Sequence, residues 1–168
     1  MNCLTKKISF ISGATSGLGK ELSIHLAKNG YHVLIHGRNQ NKLNSLYDEI
    51  KSLHGTSTII NLDLKDFCGI DKLGHEIFKK YKKLDLLVMN ASMLGTLTPL
   101  CHQEPKEFDE VLNTNLIANF RLLRSLELSL KQSNHGKLCV MSSKLTKEPK
   151  PFWGAYSISK AALEQMIY

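Results

Sequence analysis

Apolar residues follow two rhythms along this 168-residue chain. Short continuous runs, ISFIS at 8–12, HVLIH at 32–36, STIINL at 57–62, LDLLVM at 84–89 and KLCVM at 137–141, read as buried strands. Between them apolar residues return every three or four positions, which predicts helices over 17–29, 40–53, 66–81 and 105–131 and a last one beginning near Trp153. The stretch 40–53 shows the logic: Leu43, Leu46, Ile50 and Leu53 form one stripe, with Lys42, Asp48, Glu49 and Lys51 between them. Five βα units in succession predict an α/β fold, and their right-handed crossovers confine it to a doubly wound parallel sheet. The ligand crevice of that architecture lies at the carboxyl ends of the strands. The connections 90–104 and 142–152 are long and overhang the crevice, and Pro99, Pro105, Pro149 and Pro151 all fall in predicted connections.

Length and composition narrow the class without changing it. At 42% hydrophobic, the chain buries one core, so 1–168 is expected to form one domain. No apolar run approaches the roughly 18 residues of a membrane span, and MNCLTKKISF enters the first strand without a signal-peptide pattern, so a cytoplasmic location and no membrane partner are expected. Twenty-two Lys and Arg against fifteen Asp and Glu give a net charge of +7, but the lysines are spread along the chain rather than gathered with aromatic residues. Nucleic acid is therefore not an expected partner. Cys3, Cys68, Cys101 and Cys139 form no CxxC pair and read as isolated core or surface residues. His32 and His36 stand on a predicted strand, where four residues span about 13 Å, so no metal site is expected there.

The chemistry begins directly after the first strand. SGATSGLGKEL sets Gly13, Gly17 and Gly19 at the strand-to-helix turn, with Thr15, Ser16 and Leu18 between them. Glycine there lets backbone N–H groups approach a pyrophosphate, and the helix N-terminus adds partial positive charge. An NAD site offers a carboxylate to the ribose about twenty residues on, but the second strand ends in HGRNQNK, with Arg38 where a 2′-phosphate would sit. A charge-assisted hydrogen bond of about 1.5–3 kcal/mol favours NADP over NAD roughly ten- to a hundredfold. Asp63, ending the third run, either accepts from an adenine amino group or starts a turn.

The segment CVMSSKLTKEPKPFWGAYSISKAALEQM spaces Ser143, Tyr156 and Lys160 by thirteen and then four positions. On a helix, positions i and i+4 share a face, so the Tyr156 phenol and the Lys160 ammonium meet at one site. Hydride transfer to a carbonyl leaves an alkoxide that needs a proton, and a phenol with an ordinary pKa near 10 donates poorly. A neighbouring cation that lowers such a pKa by about three units contributes about 4 kcal/mol. Asn90-Ala91 closing the fourth strand, Asn115 in the following helix and Ser143 closing the fifth complete the set.

With these motifs in this order, from SGATSGLG through MNAS and NTNL to YSISK, the chain resembles the short-chain dehydrogenase/reductase family over essentially its whole length. The resemblance implies a Rossmann-like sheet with strands in the order 3-2-1-4-5 and further strands beyond Tyr168, the chain being expected to lack the family's C-terminal part. It implies Tyr156 as acid/base, Lys160 on the nicotinamide ribose, Ser143 on the substrate oxygen and Asn115 anchoring a water of the proton relay. Cofactor contacts are implied at Gly13, Thr15, Ser16, Gly17, Leu18 and Gly19, at Arg38 and Asp63, and at Asn90, Ala91, Tyr156 and Lys160. The implied activity is hydride transfer between NADP(H) and a small-molecule carbonyl or secondary alcohol, with a homo-oligomer possible only where the C-terminal part is present. The family's usual Asn-Asn-Ala-Gly reads Met89-Asn90-Ala91-Ser92 here, and Ser12 stands for its threonine. Two alternatives stay open: a nucleotide- or partner-binding module without turnover, and a basic nucleic-acid-binding protein.

Overall fold

The computed structural model describes residues 6–168. Cys3 lies outside them. Five parallel strands form one sheet: β1 (Ile8–Ile11), β2 (His32–Gly37), β3 (Thr56–Asn61), β4 (Leu86–Met89) and β5 (Lys137–Val140), in the order β3-β2-β1-β4-β5. Between them run α1 (Gly17–Lys28), α2 (Gln40–Ser52), α3 (Phe67–Tyr81), α4 (Pro105–Leu112) and α5 (Ala118–Lys131), and α6 (Gly154–Met166) follows β5. The architecture is the doubly wound, Rossmann-like sheet the alternating pattern predicts.

The register explains how one chain covers two faces. Phe10 pairs with Leu34 and with Leu87, placing three large apolar side chains in one row of the sheet. They face α3 and α5 and pack with Ile70, Ile77, Leu122 and Leu126. Ile11, Ile35 and Val88, on the other face, pack with Leu43, Leu46 and Ile50 of α2. Complete burial of a residue of this size contributes roughly 1.5–3 kcal/mol, so the alternation fixes the register.

Three expectations change. Leu53 does not join the α2 stripe: it is the C-cap of that helix and 40% exposed, because the helix ends one residue earlier. Buried strands were expected throughout, yet β3 is only half covered and β5 is exposed at Lys137, Leu138 and Cys139, since each forms an edge of the sheet. The single helix over 105–131 is divided: α4 and α5 are joined by a π-helical turn at Asn113–Ile117.

Candidate functional site

The carboxyl ends of β1 to β4 open into a cleft of about 580 Å³. Gly13, Thr15 and Ser16 form one wall, Gly37 and Arg38 a second, and Leu62, Asp63, Leu64 and Lys65 a third, while Asn90 to Met93 and Thr114 close it toward α4. Of the twelve candidate cofactor contacts, seven line this cleft: Gly13, Thr15, Ser16, Arg38, Asp63, Asn90 and Ala91. Gly17, Leu18 and Gly19 stand in the first turn of α1 without lining it.

The glycine loop suits a phosphate. Ser16 caps α1 in extended backbone without a side-chain hydrogen bond, and the first turn holds no acidic residue. The first-turn N–H groups therefore keep their donors and their partial positive charge. Gly17 sits at φ +50, and a Cβ there would meet nothing within 4 Å. Gly19 is a contact glycine, since its Cβ would lie 2.3 Å from the Gly13 carbonyl oxygen and 2.5 Å from Asn90 Nδ2. Asn90 ties the strand ends together, donating from Nδ2 to the Ser12 and Gly13 carbonyls at 3.1 Å each. Ser12 Oγ accepts from the backbone N–H groups of Asn90 and Ala91 at 3.0 Å each.

Two further cofactor candidates differ in their engagement. Arg38 is exposed at the cleft rim and enters no ion pair among the described residues. Asp63 starts a turn, its Oδ1 accepting from Lys65 N at 2.9 Å. Its second oxygen leaves the other reading of this residue open.

The remaining residues meet at α6. Lys160 is 2% exposed, and its Nζ donates to the Met141 carbonyl at 2.7 Å, just past β5. Burial pushes its ammonium below the ordinary lysine range. The same Nζ stands 5.7 Å from the centroid of the half-buried Tyr156 ring. Ser143 caps a short 3-10 turn at Lys144–Thr146, its Oγ accepting from Leu145 N at 3.3 Å. Ser143, Tyr156 and Lys160 are not among the residues lining the 580 Å³ cleft.

Asn115 connects the two regions. It is fully buried in the π-helical turn, where its Oδ1 accepts from Met93 N at 2.7 Å. Its Nδ2 donates to Met93 O at 2.8 Å and to Ser159 Oγ at 2.9 Å. Ser159 in turn donates to the Tyr156 carbonyl at 2.7 Å. The Asn115 carbonyl accepts from Asn119 Nδ2 at 2.7 Å. A π-bulge of this kind recurs at functional sites because it re-aims a backbone carbonyl. Sequence reasoning missed Ser159, Asn119 and Glu164, which holds Ser142 and, at 3.3 Å, the Thr146 hydroxyl. Only Ser159 carried a signal, lying between Tyr156 and Lys160.

The loop after β4 accommodates the serine that stands where the family has glycine. Ser92 takes no positive φ, and the left-handed turn falls instead to Gly95 at φ +74. Of the large apolar residues in this loop, Met93 lines the cleft, whereas Leu94, Leu97 and Leu100 are 42%, 47% and 52% exposed.

Fold and cleft together define a Rossmann-like domain that opens where its strand order reverses. The chain belongs to the short chain dehydrogenase family, whose model matches residues 7–168. It is 31% identical over 167 residues to the uncharacterized oxidoreductase YciK of Escherichia coli, covering 98% of this chain and 66% of that protein. It is 36% identical over 160 residues to the 3-oxoacyl-[acyl-carrier-protein] reductase FabG of Rickettsia felis, covering 95% and 63%. The chain thus spans about two thirds of the length of the curated relatives it matches. Among solved structures, a short chain dehydrogenase from E. coli CFT073 complexed with NADPH superposes with a TM-score of 0.92 at 31% identity, covering 98% of this chain and 70% of that one. One from Shigella flexneri complexed with NADP gives 0.91, also at 31% identity, with the same coverages. No helix among the described residues is long and apolar enough to cross a membrane.

Proposed function

We propose that residues 1–168 form a nucleotide-binding domain that holds NADP(H) and supports hydride transfer to or from a small-molecule carbonyl or secondary alcohol, with Tyr156 as acid/base. One observation carries the reading: the Asn115 amide joins Met93 on the cleft wall to Ser159 between Tyr156 and Lys160, so the acid/base pair is held in register with the cleft. The α1 N-terminus and Gly17 receive the pyrophosphate, and the rim position of Arg38 suits a 2′-phosphate. Solved relatives complexed with NADP and NADPH support the cofactor class. When bound, the nicotinamide supplies the hydride.

The chain's own residues then manage position and the proton. Tyr156 Oη donates a proton to the substrate oxygen in reduction and takes it back in oxidation. Lys160 places a cation 5.7 Å from that ring and enters no ion pair among the described residues, so no carboxylate neutralises the field it lends to a developing phenolate. Ser143 Oγ accepts from Leu145 N and keeps its own proton to donate to the substrate oxygen. Asn115 acts as a positioning residue through its side chain, while its carbonyl, shared with Asn119, is the group available to a relay water.

Titration of the purified chain with NADPH and NADH, followed by a panel of ketones and aldehydes with Tyr156→Phe as control, tests this. The expected result is preferential binding of NADPH and a turnover that the phenylalanine variant loses while still binding cofactor. NADPH binding without turnover would instead mark a nucleotide-binding module, and a folded chain that binds neither dinucleotide would overturn the reading.

A further inference from the structure

Lysines that are scattered along the sequence are gathered by the fold. All five strands run one way, so every helix-to-strand connection returns to the amino end of the sheet, opposite the cleft. Lys6 and Lys7 precede β1, Lys28 ends α1 ahead of β2, and Lys51 lies in the last turn of α2 ahead of β3. Lys79, Lys80, Lys82 and Lys83 occupy the approach to β4, while Lys131 ends α5 and Lys137 opens β5. A lysine thus stands at the foot of every strand, along an edge about 20 Å wide. The stretches 6–8, 26–33, 50–57, 79–86 and 129–137 hold these ten lysines and one carboxylate, the buried Asp85. All other residues together hold twelve cationic side chains against fourteen carboxylates, so the net charge of +7 originates at this face.

Local needs explain only part of the cluster. Lysine in a last helical turn complements the helix dipole, which accounts for Lys28, Lys51, Lys79, Lys80 and Lys131 but not for Lys6, Lys7 and Lys137 at the strand entries. Lys83 pairs with Asp85 and Lys131 with Glu127, and the other eight enter no ion pair among the described residues. Their field reaches the fold itself: His32, held down to about 4 chiefly by burial, is pushed the same way by Lys80 and Lys6.

The chemistry of the face selects among anionic partners. Its cations are all lysines, compact charges on flexible stems, with no arginine to fork onto a single phosphate. Among the described residues, helices present C-terminal carbonyls here and no N-terminal N–H groups, so the backbone does not fix a phosphate in place. The neighbouring rings are engaged rather than offered to nucleic-acid bases, Tyr31 by Lys7, Phe78 by Lys82 and Tyr81 by Lys80. Two leucines share the face, Leu53 at the end of α2 and Leu128 in the last turn of α5, 40% and 52% exposed. Cations set around exposed apolar side chains match the headgroups and acyl boundary of a lipid surface.

We propose that this face docks on an anionic lipid surface, with its lysines among the headgroups, Leu53 and Leu128 at the acyl boundary, and the cleft turned to solvent. The expectation of no membrane partner rested on the length of apolar runs, which does not report how the fold groups charge. A peripheral contact of this kind needs no spanning helix. The inference is independent of the cofactor reading.

Flotation of the purified chain with vesicles of phosphatidylcholine, alone or mixed equally with phosphatidylglycerol, tests this at about 0.1 M and about 1 M salt. Binding is expected to the mixed vesicles only, and only at the lower salt. Each lysine at the surface contributes about fivefold in affinity, so the quadruple variant Lys28→Gln, Lys51→Gln, Lys79→Gln, Lys137→Gln is expected to bind roughly a hundredfold more weakly or worse. Lys42→Gln, Lys72→Gln, Lys106→Gln, Lys147→Gln together remove the same charge from elsewhere and are expected to change binding by no more than about threefold. Should the first quadruple variant fail to fold, Lys28→Gln with Lys79→Gln serves, with an expected loss of about thirtyfold. Equal losses from the two quadruple sets would make net charge rather than this face responsible and overturn the proposal. So would binding to phosphatidylcholine alone, no binding to either vesicle at the lower salt, or tighter binding to duplex DNA or single-stranded RNA than to the mixed vesicles. NADPH is expected to leave flotation unchanged, and because the vesicle assay needs no cofactor, its outcome and that of the cofactor titration are read separately.

Discussion

Gly17 and Gly19 are two residues apart in the first turn of α1, and the structure gives them different physical duties that a pair of alanine substitutions separates. At Gly19 the added Cβ would stand 2.3 Å from the Gly13 oxygen and 2.5 Å from Asn90 Nδ2, distances that force a neighbour to move. Neither neighbour moves cheaply, because Gly13 O and Ser12 O both accept from that same Asn90 amide at 3.1 Å. Overpacking costs about 1–3 kcal/mol, and displacing the amide gives up two hydrogen bonds of about 0.5–1.5 kcal/mol each. Gly19→Ala is therefore expected to lower stability by about 3 kcal/mol. At Gly17 the new methyl meets nothing within 4 Å, so only the left-handed backbone at φ +50 opposes it. That costs about 1–2 kcal/mol, partly offset by the roughly 0.4–1 kcal/mol an alanine gains by narrowing the unfolded ensemble. The net change is expected to stay near 1 kcal/mol. Urea unfolding at neutral pH, with equal m-values as the check that both variants unfold in the same way, measures the difference. A double-mutant cycle with Asn90→Ala adds a second criterion, since the two losses overlap and must sum to less than their parts. Equal costs at the two positions, or a larger cost at Gly17, would refute the assignment of Gly19 to close packing.

Arg38→Ala is expected to weaken NADPH binding about ten- to a hundredfold and leave NADH binding unchanged, as read by fluorescence titration; parallel losses for both dinucleotides would remove Arg38 from the 2′-phosphate. Stability is expected to fall as pH drops from 6.5 toward 4, because burial holds His36 near 4 and the unfolded chain takes up a proton in that window that the folded chain refuses. The share of His36 is up to about 3 kcal/mol. His32, also lowered to about 4 chiefly by burial, adds to the same slope, so the comparison with His36→Leu isolates one group, and parallel curves would show that His36 is not held neutral. Lys160→Met is expected to leave unfolding free energy within about 1 kcal/mol of wild type while abolishing NADPH-dependent carbonyl reduction, and an unfolded variant would mark Lys160 as structural instead.

What the sequence reveals here follows from the range of the forces involved. The strands announce themselves because β1 and β2 are covered on both faces, which favours apolar residues at most positions, with Ser9, His32 and His36 as the buried polar exceptions. The edge strands β3 and β5 were legible by the same runs, but their exposure was not, since it depends on how many neighbours each acquires. The π-helical turn escaped notice for a related reason. Val111, Asn115, Ala118, Leu122 and Leu126 are all buried at steps of three or four, so the inserted residue leaves the apolar rhythm of 105–131 intact. Seven of the twelve cofactor candidates line the cleft because strand ends and their loops are local in sequence. Links between distant segments, such as the Asn115 amide on Met93 or Glu164 beside Ser142, carry no spacing signal at all.

Buried polar groups separate what the fold needs from what a ligand site would use. Among the described residues the sheet centre is largely apolar, and a core of this kind gains nothing from a buried lysine. Unpaired buried hydroxyls do not mark the ligand end, since Ser9, Ser57 and Ser129 hold them as well. Lys160 differs from these by its charge: its ammonium is buried with only the Met141 carbonyl as a hydrogen-bond partner. Asp85, at the opposite end of the strands, is better held, accepting from Ile8 N and Ser133 Oγ at 2.7 and 2.6 Å. A sparsely held cation at the ligand end of a doubly wound sheet is the group that the proposed dinucleotide site would use, and the fold itself gives no other reason to bury it.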